Sequence, residues 1–370
     1  MDNDIINDIR IEKDFKNTTF SKFQKIKAKT ELIDCIYNLK IENACYWCAE
    51  YICSGHLLEL WDIIINYYCK YIHSGNPKLP IYLNMRYNNF INILNKNDKN
   101  LLKLRNNKNI RKLFAEIICI LSFSNKKHIY QDVKLNKNEE FDITNISNKF
   151  KAPSIKYAEN IFKEDDPKEL FIPINELIYN LTNKNIIDCC YWYEWILEYE
   201  NICKKKKKKC VCDIRQYAPD KNREDIIWMI WDVIFYYSDF TNELNDNPNI
   251  ILINKIIKAL FQLFIIKYNP SSKKKRKYII YFCFALLIEN INYDVNISDK
   301  SEEINAIILK IDSIYKEIKK NEIAPKMDYL YANINKYRND LKLRIKNDIL
   351  NKNLNYISES NDTDYTDDSD

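Results

Sequence analysis

Apolar positions recur at spacings of three and four over most of this chain. Between Ile41 and Ile52 they are Ile41, Ala44, Cys45, Cys48 and Ile52, with Glu42, Asn43 and Glu50 between them. One stripe at that period predicts an amphipathic helix. The same stripe returns at Ile186, Cys189, Cys190, Tyr193 and Leu197. Glycine and proline fall between such blocks, at Ser54-Gly55, Ser74-Gly75 and Asn76-Pro77, which marks helix ends there. The longest apolar run, Tyr278 to Ile288, has eleven residues. It falls short of the ~18 a membrane span needs and predicts a buried core helix. Ile304, Ile307, Ile308, Ile311, Ile314 and Ile318 mark a further amphipathic helix ending before Pro325. Another is predicted through Ile334, Tyr337, Leu341, Ile345 and Ile349. The pattern predicts an all-α fold.

The stripes belong to a longer repetition. ELIDCIYNLKIENACYW (Glu31 to Trp47) aligns without a gap on ELIYNLTNKNIIDCCYW (Glu176 to Trp192) at an offset of 145, with eight of seventeen positions identical. LWDIIINYY (Leu60 to Tyr68) then pairs with IWDVIFYYS (Ile230 to Ser238), and Asn76-Pro77 with Asn247-Pro248. Arg111-Lys112 precedes LFAEIICILSF as Arg276-Lys277 precedes YIIYFCFALLI. Four blocks in preserved order predict two tandem, pseudo-symmetric helical units. The second carries about 25 extra residues between its first two blocks, including CKKKKKKCVC. Cys45, Trp47, Trp61 and Asp62 in the first copy answer to Cys190, Trp192, Trp231 and Asp232 in the second.

The expected organisation is an N-terminal arm (1–28), helical unit 1 (29–128), a linker (129–168), helical unit 2 (169–292, with the basic insertion near 200–222), C-terminal helices (293–352) and an acidic disordered tail (353–370). Within the linker, IYQDVKL and FDITNI alternate weakly and predict a small hairpin. The last twelve residues hold six acidic groups and no basic one, a composition that cannot bury a core.

Composition narrows the chemistry. Only two glycines occur, Gly55 and Gly75. That excludes a phosphate-cradling P-loop, a G-x-G-x-x-G dinucleotide fingerprint and a nucleophile elbow. Frequent Asn, Ile, Lys and Tyr carry the bias of an A+T-rich coding sequence, which discounts any single Lys-rich stretch. The twelve cysteines are spread over a chain whose first residues, MDNDIINDIRIEKD, lack an apolar signal segment. Reduced thiols in a non-secreted protein are expected.

Three sets of residues are candidates for chemistry. Cys45, Cys48, Cys53 and His56 fall as C-x2-C-x4-C-x2-H, the residue types of a zinc site. On a helix, however, Cys53 lies more than two turns beyond Cys45, and the second copy replaces Cys48 by Tyr193. A cysteine-rich core helix is the expectation, with no metal or cofactor. Asp62 and Asp232 each put a carboxylate in an apolar helix. They could face one another across a pseudo-twofold as a cation or acid/base pair. One per copy, though, is what a packing role predicts, each accepting from a helix terminus or a basic side chain. The third set is two basic runs: Lys204, Lys205, Lys206, Lys207, Lys208 and Lys209, then Lys273, Lys274, Lys275, Arg276 and Lys277. Either could contact phosphates or an acidic partner. Cations are unfavourable at a helix N-terminus, so basic character before the same helix in both copies suggests a use. The net charge is +5, and near +11 without the tail's six carboxylates.

The duplicated unit, with its block ACYWCAEYICSGHLLELWDIIINYYCKYIHSGNPKLPIYL, resembles an uncharacterised family of nucleocytoplasmic large DNA viruses, the giant viruses of algae and amoebae. The resemblance is strongest over residues 20–95 and extends over 20–290. It implies work in the infected host cytoplasm, a viral factory or a virion, and supplies no catalytic residues. The expected function is a non-enzymatic helical interaction or scaffold protein with a protein partner. The alternative is a nucleic-acid-binding accessory factor in viral replication or transcription using the Lys-rich loops.

Overall fold

The computed structural model describes residues 4–136, 141, 146–244, 249–323 and 341–342. Among these the fold is all-α, with twelve α-helices and no strand beyond one isolated bridge between Thr18 and Gln24. Two compact units are distinguished. The large one comprises residues up to Ile6 and Ile11–Asn321; the small one comprises Asn7–Arg10 and the chain from Glu322. In the small unit Ile9 N donates to Ile323 O at 3.1 Å, and Asp8 accepts from Ile323 N and the Arg10 guanidinium.

In the large unit the first five helices are α1 (Lys25–Tyr37), α2 (Ile41–Cys53), α3 (Leu57–Tyr67), α4 (Leu79–Lys96) and α5 (Lys108–Phe123). The next six are α6 (Phe171–Thr182), α7 (Ile186–Lys205), α8 (Ile227–Leu244), α9 (Ile250–Phe264), the single turn α10 (Ser272–Lys275) and α11 (Lys277–Ile288). Last comes α12 (Ser301–Lys319). Helix α5 packs on α1, α2 and α4, and α11 packs on α6, α7 and α9. Helix α4 lies against α9 across the middle, and α12 covers α2 and α5.

The stretches aligned by sequence adopt the same local structure. Residues 31–47 and 176–192 have identical secondary structure position by position, two helices around a tight corner. In each, a residue with positive φ turns the chain, Leu39 at 58° and Lys184 at 55°. In each, the next backbone N–H closes back on the carbonyl five residues earlier: Lys40 N to Cys35 O and Asn185 N to Asn180 O, both at 2.9 Å. The preceding asparagine, Asn38 or Asn183, donates its side-chain amide to the carbonyl four residues back. This left-handed corner leaves few helix-end carbonyls unpaired. Tyr46 meets Trp47 edge-on as Tyr191 meets Trp192. Deeper in, Trp61 packs on Phe90 of α4 and Trp231 on Phe261 of α9, and both tryptophans are fully buried.

The expected hairpin is not formed by residues 129–136, which run as a loop, while 142–145 lie outside the described residues. Tyr130 of that loop is buried against the His73 and Tyr281 rings. Val133 and Leu135 pack partly buried against the core, while Ile129 is exposed. The N-terminal segment also contributes to the core, with Phe15 and Phe20 fully buried ahead of α1. Helix α12 buries Ile304, Ile311, Ile314 and Ile318. Of the next expected helix only 341–342 are described, and the acidic tail lies outside the described residues.

Candidate functional site

The cysteine-rich stretch is most of α2 and the corner that leads into α3. Cys45, Cys48 and Cys53 are buried in the core, and all twelve cysteines carry free thiols. The neighbouring Cys119 thiol and burial both raise the Cys45 pKa. Burial does the same for Cys48. Thiols held neutral in this way are poor zinc ligands. His56 faces elsewhere: its Nε2 lies 2.8 Å from Phe15 O and 3.1 Å from Thr18 O, tying the N-terminal segment to α3. Among the described residues no three His, Cys, Asp or Glu side chains converge as a metal site requires.

The two aspartates accept from separate arginines. Asp62 takes Arg276 Nη2 at 2.7 Å. Asp232 takes Arg215 Nε and Tyr217 Oη, each at 2.6 Å. Arg215 also clamps Asp166 through both terminal nitrogens, at 2.9 and 2.7 Å, and is buried. Arg215 lies between α7 and α8, so the two aspartates draw their cations from different parts of the chain. Burial raises the Asp232 pKa against the lowering effect of Tyr217 and Arg215.

The second basic run requires a correction. Lys273 is 1% exposed and its Nζ lies 2.6 Å from both Glu200 and Asp225. Arg276 is buried between Phe264 O and Asp62. Lys277 reaches Asp132 at 2.6 Å. Only Lys274 and Lys275 are exposed. The counterpart in the first half behaves alike: Arg111 is buried, 2.7 Å from Asp4, with its guanidinium over the Tyr315 ring at 4.0 Å. A buried cation without a carboxylate would be prohibitively costly, so Lys273, Arg276 and Arg111 are held by interior ion pairs. The first run, Lys204–Lys209, is exposed throughout. Lys204, Lys208 and Lys209 are tethered to Glu200, Glu169 and Glu224, while Lys205, Lys206 and Lys207 have no carboxylate partner among the described residues.

A cleft of about 770 Å³ opens between α1, the end of α3 and the connection from α9 to α11. Its walls carry six cations and two carboxylates. Glu59 is held by Lys25 at 2.5 Å and Asp62 by Arg276. Lys29, Lys70, Lys267 and Lys275 remain without a close ion pair among the described residues, although Lys70 is near enough to Asp132 to help lower its pKa. Lys25 and Lys29 sit one turn apart on α1. Lys70 and Tyr71 belong to a π-helical turn, Tyr68–Ile72, that closes α3. That turn ends at His73, whose φ of 29° is unusual for a side-chain-bearing residue. Wide turns and strained residues of this kind re-aim side chains and recur at functional sites. The Lys70 ammonium stands 5.2 Å from the centre of the Tyr71 ring and 5.5 Å from that of Tyr278.

Sequence reasoning reached Asp62, Lys275 and Arg276 of this cleft. Lys29, Lys70 and Lys267 are isolated in sequence and converge only when α1, α3 and the α9–α11 connection pack. The one local signal was Lys25 and Lys29 at helical spacing. No helix among the described residues is long and apolar enough to cross a membrane. No protein-family model matches the chain, and neither a curated protein nor a solved structure shows significant similarity to it.

Proposed function

We propose that this is a non-enzymatic helical binding protein that engages a polyanionic partner through the basic cleft. The observation that carries this is the fate of its cations. The described arginines and lysines that are buried are matched by carboxylates or carbonyls, whereas four lysines from three distant segments enter one cleft without a close ion pair. Unpaired like charges in a concave site repel one another, and an anionic ligand relieves that cost and focuses on the site. The cleft offers cations and tyrosines, and its two carboxylates are already engaged, which favours binding over acid/base chemistry.

The matched corners, caps and Trp–Phe contacts support a repeated unit as the origin of the two halves. The resemblance of residues 20–95 to proteins of large DNA viruses supports work in an infected cell or a virion. The test is retention of the full chain on immobilised heparin. The wild type should be retained, as should a variant with Lys204–Lys209 changed to Ser. Lys29→Ser, Lys267→Ser and Lys275→Ser together should elute at markedly lower salt. Unchanged elution of that triple variant would overturn the reading.

A further inference from the structure

We propose that the ligand of the cleft is a compact phosphorylated polyol, its phosphates held by Lys29, Lys267 and Lys275 and its free hydroxyls by Tyr67 and Asn66. This rests on the polyanion reading above and adds a ligand class to it. The first observation is shape. The three lysines are exposed and come from α1 and from the connection between α9 and α11, and they line one concavity of about 770 Å³. Sites of that size enclose small molecules. Both carboxylates of the walls are already held, Glu59 by Lys25 and Asp62 by Arg276, so neither stands as a free charge against an entering phosphate. Lysine suits the task, because its ammonium acts as a point charge that can meet a phosphate from many directions.

The second observation is a pair of unsatisfied polar atoms in the same cleft. Asn66 and Tyr67 end α3, and both line the site. Tyr67 is 1% exposed, and its hydroxyl has no hydrogen-bond partner among the described residues. Asn66 donates its side-chain amide to Asp62 O at 2.7 Å, which fixes the orientation of the group and leaves Oδ1 buried and unpaired as well. Buried polar atoms are nearly always paired, so two adjacent orphans in a cleft of lysines mark where a ligand completes the site. Their needs differ. Burial raises the Tyr67 pKa, and Tyr71 and Tyr37 add to it, so the hydroxyl stays protonated and offers a proton. Asn66 Oδ1 can only accept one. An ionised phosphate answers the first need and not the second, whereas a hydroxyl answers both. The ligand therefore carries hydroxyls as well as phosphates, as a phosphorylated sugar or cyclitol does and a bare polyphosphate does not. Both atoms are shielded from bulk solvent by their neighbours, so reaching them takes a small group that settles among the side chains of the wall.

The experiment is titration calorimetry of the full chain with inositol trisphosphate and with tripolyphosphate, which has similar charge and no carbon-bound hydroxyl. The expected result is that the trisphosphate binds about tenfold or more tighter than tripolyphosphate. Tyr67→Phe removes only the hydroxyl and should weaken the trisphosphate about fivefold, while tripolyphosphate and heparin stay within about twofold. Lys29→Ser together with Lys275→Ser should weaken all three. Two sources carry this chemistry, a free cyclitol phosphate and the head group of a phosphoinositide lipid. Sedimentation with phosphatidylcholine vesicles containing phosphatidylinositol bisphosphate separates them. Vesicle binding that free trisphosphate displaces supports the proposal with the lipid as source, and trisphosphate binding without vesicle binding supports it with the free compound as source. Equal affinity for trisphosphate and tripolyphosphate, or a Tyr67→Phe variant that binds the trisphosphate like wild type, overturns the ligand assignment and leaves the polyanion reading standing. If neither phosphate compound nor heparin binds at low salt, the polyanion reading itself fails. Should Tyr67→Phe fold poorly, the comparison of the two phosphate compounds on wild type decides the matter alone.

Discussion

Two lysine-rich runs that look alike in sequence should respond oppositely to neutralisation, and Lys273→Met tests this. Methionine keeps the length and apolar stem of the side chain and removes only its charge. In the native protein the Lys273 ammonium lies 2.6 Å from Glu200 and 2.6 Å from Asp225, and both carboxylates are about as buried as the lysine. Removing one partner of a buried ion pair typically costs about 3–5 kcal/mol, because the remaining charge is left without compensation. Local support moderates the loss. Glu200 keeps Lys204 at 2.7 Å, and Asp225 keeps the Tyr268 hydroxyl at 3.0 Å and Ile227 N at 3.1 Å. The expectation is therefore the lower end of that range, about 3 kcal/mol, or roughly 5 °C in Tm for a chain of this size. Lys275→Met, at an exposed position two residues on, should stay within about 0.5 kcal/mol. The assay is urea unfolding of both variants at pH 7.5. Equal stability of the two variants would refute the buried-pair account.

Changing Lys204–Lys209 together to Ser should leave unfolding free energy within about 1 kcal/mol, since all six are exposed and surface ion pairs contribute little; a larger loss by urea titration would mean that the run supports the fold. His73 is buried, bonded through Nε2 to His128 O at 2.9 Å, and burial holds its pKa down to about 4. The unfolded imidazole takes its proton near pH 6.5, so between these values the unfolded state binds more protons. Stability from this group is complete above about pH 6.5 and falls as pH drops toward 4, by roughly 2 kcal/mol at pH 5. His73→Gln should flatten that part of the pH profile, and an unchanged slope would exclude His73 as its source.

The periodic part of the fold was legible in sequence because one stripe per helix was enough to specify it. The corner between α1 and α2 and that between α6 and α7 were readable as matching strings. Even the left-handed residues Leu39 and Lys184, which no propensity would select, sit at equivalent positions. Charge was legible only as composition. Nothing local distinguishes Lys273 from Lys275; a helical turn places one beside Glu200 and Asp225 and the other in the cleft. The same limit hid Arg215, whose partners Asp166 and Asp232 lie 49 and 17 residues away. The weak alternation of residues 129–135 suggested a strand, but Tyr130, Val133 and Leu135 reach the core from a loop without strict alternation of burial. The cleft joins segments more than 200 residues apart, so its four lysines without a close ion pair could be recognised only once their neighbours were known.

The most direct test of the central claim, a polyanion held by the cleft, is the salt dependence of binding to a labelled oligothymidylate, used as a chain of phosphates. With Lys29, Lys70, Lys267 and Lys275 each neutralising one phosphate, the logarithm of the binding constant should fall against the logarithm of salt with a slope of about −3. Neutralising all four to Ser should bring the slope close to zero, while the Lys204–Lys209 variant should keep the wild-type value. A slope that survives loss of the four cleft lysines, or disappears with the exposed run instead, would contradict the account.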